Sequence, residues 1–212
     1  MQDAKRHINR LPCAFCMAYG SSSAYTVLEL LFAVTLSLIV GAVATPQLLA
    51  SVDDLRAAGA VRYIATKLQQ SRMEAVSRSA SVGWQFVVTP NGYTYALYRD
   101  GNGNGIRSLD IQQEVDARIG APEILTTRFT GVDFGVLPAL PPVDPGGTAP
   151  GSDPIKLGSS NILTFTPLGT SSSGSLYLLG RRNAQYAIRI LGETGKTRIL
   201  KFDPRTWQWK PA

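Results

Sequence analysis

Residues 24–46, AYTVLELLFAVTLSLIVGAVATP, constrain this chain more than any other stretch. From Val27 to Ala44 there are eighteen residues with one acidic side chain, Glu29, and no basic one. That length and composition read as a membrane span rather than a buried core helix. An ionised carboxylate is costly in hydrocarbon, so Glu29 needs either a place near the interface or a cationic partner. A partner on another chain would make the helix an assembly element and not only an anchor.

Composition narrows the rest. Of the formal charge of +6, residues 1–24 hold Lys5, Arg6 and Arg10 against Asp3, a net +2, which leaves +4 for the remainder. Both cysteines, Cys13 and Cys16, and the one histidine, His7, precede the apolar run. The body of the chain therefore has no thiolate or imidazole for a zinc cluster, and no catalytic triad built on either group. The CxxC spacing is half of a zinc site at most. Nothing in the pattern points to an enzyme.

The front end has the basic-then-apolar order of an export signal, with Lys5, Arg6 and Arg10 expected on the cytoplasmic side. A cut after the apolar segment, near Gly41–Ala44, would discard the helix that the sequence is built to keep. The segment Ala24-Tyr25-Thr26-Val27-Leu28-Glu29-Leu30-Leu31 instead resembles the prepilin signature of type IV pilins and type II secretion pseudopilins. The resemblance implies cleavage by a prepilin peptidase between Ala24 and Tyr25, followed by N-methylation of Tyr25. Glu29 would then be the fifth mature residue and Pro46 the twenty-second, as in the family. Ala24 stands where the family usually has Gly. In that family the carboxylate matching Glu29 pairs with the N-terminal amine of a neighbouring subunit, which sets axial register during assembly. Leaving either charge alone in a low dielectric is the costly alternative. Pro46 lacks an amide hydrogen and is expected to break or loosen the helix.

Beyond Pro46, Leu48, Leu49, Val52, Leu55, Ala58, Val61, Ile64, Ala65 and Leu68 recur at spacings of three and four. This predicts an amphipathic helix continuing to about residue 80, with that stripe as its packing face. From residue 81 the pattern changes to short strand-like runs: 82–88, 93–99, 124–130, 162–166, 175–179, 186–191, 197–202 and 206–209. Pro90-Asn91-Gly92 and Glu193-Thr194-Gly195 predict hairpins over 82–99 and 186–202. Residues 138–154 are rich in Pro and Gly and read as an exposed, flexible loop. The expected organisation is a leader over 1–24, a transmembrane segment over 25–46, a helix continuation over 47–80 and a β domain over 81–212. The fold class is α+β: a long N-terminal helix on an antiparallel β domain of two sheets, pilin-like.

Two further stretches extend the resemblance. Leu163-Thr164-Phe165-Thr166-Pro167-Leu168-Gly169-Thr170, followed by Gly174-Ser175-Leu176-Tyr177-Leu178, is similar to the C-terminal part of GspH/FimT minor pseudopilins. The segment Asp100-Gly-Asn-Gly-Asn-Gly105-Ile-Arg after the first hairpin is similar too. The resemblance implies a structural subunit of the periplasmic pseudopilus of a type II secretion system, held by a single span in the bacterial inner membrane. Its implied partners are other pseudopilins, the prepilin peptidase, the inner-membrane assembly platform and secreted cargo. A minor pilin of a type IV pilus, with a part in assembly or DNA uptake, and a solitary membrane-anchored binding domain are the alternatives.

Two candidate sites have competing readings. Asp100, Asn102 and Asn104 have the one-three-five oxygen spacing of a calcium loop, with Gly105 at the sixth position. The twelfth position is Ile111, with Asp110 one place short. Weak calcium binding through Asp100, Asn102, Asn104 and Asp110 is one reading. A metal-free loop, in which Asn and Gly supply left-handed backbone angles, is the other. At the C-terminal end, residues 181–212 carry eight basic side chains against Glu193 and Asp203. Arg181, Arg182, Arg189, Arg198, Lys201 and Arg205 would be the DNA contacts if these charges formed one patch; spread over a solvated face, they would not. Trp207 and Trp209, two apart, are expected on one strand face, packed on the sheet.

Overall fold

The computed structural model describes residues 25–158 and 160–212. The leader over 1–24, with His7, Cys13, Cys16 and the residue before the expected cut, Ala24, lies outside the described residues. The chain divides into two units, one ending at Ala44 and one spanning Thr45–Ala212. The long helix α1, Val27–Arg78, contributes to both.

Within the first unit the helix opens on Thr26, whose Oγ1 accepts the Glu29 amide at 3.2 Å. Its apolar side chains are solvent-exposed along the run, from Val27 and Leu28 to Val40 and Val43. The two interior hydroxyls are satisfied by the helix itself. Thr35 Oγ1 donates to the Leu31 and Phe32 carbonyls, and Ser37 Oγ to Ala33, which leaves neither hydroxyl bare on the apolar helix. This helix is long and apolar enough to cross a membrane.

Pro46 lies inside α1. The break expected there is therefore not an interruption of the helix. What proline removes is one amide donor to the carbonyl four residues back.

In the second unit α1 buries Ala57, Ala60, Val61, Ile64, Ala65, Leu68, Ser71 and Ala75, a spacing of three and four. The buried stripe thus begins at Ala57. Leu48, Leu49 and Leu55, expected to lie on the same packing face, are more than half exposed. Small side chains let the sheet come close: a Cβ on Gly180 would meet the Ala57 Cβ at 2.8 Å.

The elements after the helix are β1 (Val82–Thr89), β2 (Gly92–Arg99), α2 (Ser108–Gln112), β3 (Ala117–Ile124), α3 (Leu125–Arg128) and β4 (Asp133–Phe134). They continue with β5 (Ile155–Lys156), β6 (Ile162–Phe165), β7 (Gly174–Leu179), β8 (Gln185–Leu191), β9 (Lys196–Asp203) and β10 (Gln208–Pro211). One sheet has the order β3-β2-β1-β6 and the other β10-β9-β8-β7-β4, with β5 also paired to β7. All pairings are antiparallel. The α+β class and both hairpins are as expected: Thr89 faces Gly92 across the first turn, and Leu191 faces Lys196 across the second.

The main core joins the helix to both sheets through Ile64, Leu68, Trp84, Phe86, Tyr95, Leu163, Phe165, Leu176, Leu178 and Ile188. Trp84 and Tyr95 stack with centroids 5.2 Å apart, and Phe134 meets Phe86 edge-on at 5.4 Å. A second cluster of Leu140, Tyr177, Ala187 and Phe202, with Trp209 packed against it, involves β7, β8, β9 and β10.

Three local expectations are corrected. The strand expected over 124–130 does not form: the strand β3 lies before it and ends at Ile124, and Leu125–Arg128 is the short helix α3. The last strand is Gln208–Pro211, so Trp207 is not in it; its φ of 56° puts it in the preceding turn, half-exposed, with its ring edge-on to Phe202. The loop over 138–154 has no helix or strand, but it is not exposed throughout. Leu140 is buried, Trp209 Nε1 donates to the Pro141 carbonyl at 3.0 Å, and Arg189 Nε donates to Asp144 Oδ2 at 2.6 Å.

Candidate assembly and interaction sites

At the start of α1, Thr26 and Glu29 occupy the first and fourth positions of an N-terminal capping pattern, which is a local reason for both residues. A carboxylate in the first turn also meets the positive end of the helix dipole. This local role was missed at the sequence level, although Thr-x-x-Glu was there to be read. It does not use up the charge: Tyr25 and the apolar side chains around Glu29 stand exposed.

The Asp100 loop is organised by its own amides. Asp100 Oδ1 accepts from Asn102 N at 3.1 Å and Gly103 N at 2.7 Å, and its Oδ2 accepts from Gly105 N at 2.7 Å. Asn102 Oδ1 accepts from Asn104 N. Gly103 and Gly105 have φ of 80° and 85°, angles that glycine adopts without steric cost. The buried Asp116 closes the loop: its Oδ1 accepts from Gly101 N and its Oδ2 from Arg107 N, both at 3.2 Å. Asp116 was not singled out from the sequence. Asp110 is buried on α2.

The basic residues of the C-terminal region are not gathered into one face. Arg189 is engaged internally, with Nε on Asp144 and Nη1 on the Gly174 carbonyl at 2.9 Å. Arg189 and Arg198 are cross-strand partners. Lys201, three residues along β9 from Arg198 and so on the opposite face of the strand, is paired with Tyr186, and its ammonium lies 5.6 Å from the Tyr186 ring centroid. Arg181 and Arg182 belong to the turn between β7 and β8, where Arg181 approaches Asp53 at 4.0 Å. Arg205 lies in the β9–β10 turn. In that hairpin Lys210 donates to Asp203 at 2.5 Å, and this bond, with the Arg205 amide, lowers the Asp203 carboxyl to about 2.

A polar cluster joins α1 to β2 and β3, far apart in sequence. Glu123 accepts from Tyr63 Oη at 2.7 Å, Lys67 Nζ at 3.0 Å and Tyr95 Oη at 3.1 Å. Burial works against the charge on Glu123, but the hydrogen bonds from Tyr63 and Lys67 outweigh it and hold the carboxyl below its usual range. The hydrogen bond to Glu123 raises Lys67 against the lowering effect of its own burial. Tyr95 is raised chiefly by burial and then by the Glu123 charge. Every member has a partner, so the cluster reads as a fastener between helix and sheet.

The family model of GspH, type II transport protein, matches residues 60–195, nearly two thirds of the chain. The chain belongs to the GspH family. The match covers α1 from Ala60 onward, both sheets through β8 and the Asp100 loop; Tyr25, Glu29 and Pro46 lie outside it. No curated protein and no solved structure matches the chain. GspH membership supports a type II secretion pseudopilin or pilin-like role, in a family that is structural and associates with other pseudopilins. The long apolar N-terminal helix fits a single-pass membrane anchor.

Proposed function

We propose that this chain is a minor pseudopilin of a type II secretion system. It is cut between Ala24 and Tyr25, N-methylated on Tyr25, and inserted in the inner membrane by residues 25–46. Residues 47–80 continue the helix, and residues 81–212 form the periplasmic domain, whose loop 138–154 is flexible beyond its packed first part. The observation that carries this reading is the GspH match on a chain whose α1 leaves its apolar side chains exposed from Val27 through Leu55. In water such a surface has no stable environment; lipid, and then neighbouring helices in a fibre, supply one.

Glu29 supplies the register. Its carboxylate pairs with the mature N-terminal amine of the adjacent subunit, so the helix enters the fibre at one axial offset. The peptidase, the assembly platform, other pseudopilins and secreted cargo are the partners. Replacing Glu29 by Leu tests this. Cysteine crosslinking to co-expressed pseudopilins should fall sharply while membrane insertion is kept. Unchanged crosslinking would contradict an assembly role and favour a solitary anchored domain. Membership of a type IV pilus, with DNA contact through the arginines, draws no support from their separate placements.

A further inference from the structure

We propose that the end of the β domain formed by the β7–β8 turn rests on an anionic phospholipid surface, with Arg182 and Arg181 on headgroup phosphates. The proposal rests on the membrane insertion by residues 25–46 proposed above.

The second sheet lies along α1 with its two ends at defined heights. At one end a Cβ on Gly180 would meet the Ala57 Cβ at 2.8 Å, and Arg181 approaches Asp53 at 4.0 Å. At the other end Arg72 Nε donates to the Gly169 carbonyl at 2.8 Å, and Gln69 Nε2 donates to Thr197 Oγ1 at 3.1 Å. The β7–β8 turn is therefore the end that lies towards Pro46. Asp53 stands seven residues past Pro46, about 10 Å along a helix. With hydrocarbon ending near Pro46, the headgroup layer takes up about 5–7 Å of that distance. The remaining gap is shorter than the screening length of about 8 Å at physiological salt.

Arg182 names the ligand. The Ala184 amide closes the turn on the Arg181 carbonyl at 3.3 Å, and the two residues between, Arg182 and Asn183, have φ of 57° and 61°. Positive φ at both central positions is the I′ pattern, which calls for Gly, Asn or Asp. Asn183 suits it; Arg182 does not. Arg182 is exposed, and its side chain has no hydrogen bond, ion pair or ring contact among the described residues. No contact within the chain offsets the strained backbone of this arginine, so its charge is the reason to look outside. Arg181 beside it lies over Gly131, where a Cβ would fall 2.4 Å from Arg181 Nε. It shares Asp53 Oδ1 with Arg56, which covers that acid and leaves both guanidinium groups about half-exposed. Of the acids on this part of the helix, Asp54 is the exposed one. Guanidinium groups take phosphate oxygens two at a time, and a cation near an anionic bilayer gains about fivefold in local association.

The test uses the full chain with Cys13 and Cys16 replaced by Ser and one fluorophore, at Thr130→Cys beside Gly131 or at Leu168→Cys beside Gly169. It is reconstituted into vesicles of phosphatidylcholine, with or without phosphatidylglycerol, that carry a nitroxide-headgroup lipid as quencher. Quenching at residue 130 should rise about twofold with the anionic lipid and fall back in about 0.5 M salt. Quenching at residue 168 should not respond. Arg182→Asn suits the turn, so it should melt no lower than the parent while losing at least half of the lipid response. Equal quenching at residue 130 in both lipids, or an undiminished response in Arg182→Asn, would overturn the proposal. A chain that floats with the vesicles yet shows no response refutes this proposal alone. One that does not float refutes the membrane insertion and this proposal with it.

Discussion

The indole Nε1 of Trp84 donates to Ser71 Oγ at 2.7 Å, with both residues almost wholly buried. Ser71 in turn donates to the Lys67 carbonyl one helical turn back. One serine on the apolar face of α1 thereby satisfies the polar atom of the largest side chain on β1, and fixes helix against sheet. Replacing Ser71 by Ala leaves the indole N–H buried without an acceptor. The expected loss is about 1–3 kcal/mol of domain stability. Urea unfolding of the full chain, followed by tryptophan fluorescence, measures it; an unchanged midpoint would mean that the bond contributes nothing net.

The Glu123 cluster should make stability depend on acid. Because the folded carboxyl titrates below its unfolded value near 4.5, its contribution is full above that pH and fades as pH falls through the folded value. Glu123→Gln should cost about 1–2 kcal/mol at pH 7, discounted for the third of the carboxylate that water reaches. It should also flatten the fall in melting temperature between pH 5 and pH 3. Equal acid sensitivity in the variant and the parent would place the titrating group elsewhere.

The first part of the 138–154 loop is pinned by Arg189 to Asp144 and by Trp209 to Pro141. Past that pin lie Pro145, Gly146, Gly147 and further small residues to Ser152, mostly exposed. Proteases favour such exposed tips when the backbone can open. Asp144→Ala should speed limited proteolysis within 145–152 several-fold at nearly unchanged melting temperature, since a half-exposed ion pair adds little to global stability. Mapping the cut by mass spectrometry checks it; cleavage first appearing elsewhere would contradict the pin.

Much of the architecture was legible because its signals are local. The 52-residue helix, the two hairpins and the strand runs follow from apolar spacing and from Pro-Asn-Gly and Thr-Gly turns. What escaped is set by tertiary contact. Strand β3, ARIGAPEI, has the Gly, Pro and charges of a loop; it pairs only along β2, with the register shifted where Gly120 takes a φ of 78°. The four-residue α3 is too short to show a period. At the sites, Glu29 and the Asp100 loop could be seen as motifs. Glu123 and Asp116 acquire meaning only when residues 9 to 60 positions apart meet, and sequence spacing carries no such information.

The helix sequence also shows why one stripe splits into two roles. Leu48, Leu49 and Leu55 share the spacing of Val61, Ile64 and Leu68, yet only the latter three are buried. Periodicity reports an apolar face; it does not say which chain will cover it. In the proposed account the uncovered part belongs to the fibre. Leu55→Asp should leave the urea midpoint within about 0.5 kcal/mol while cutting pseudopilin crosslinking. A large loss of stability would show that this chain covers Leu55 itself.

The central claim is that α1 is a processed pseudopilin helix, and the mature N-terminus tests it most directly. Intact-mass and terminal-peptide spectrometry of protein extracted from membranes should find a chain that begins at Tyr25 with a methylated amine. A terminus at Met1, or one created after Ala44, would contradict it.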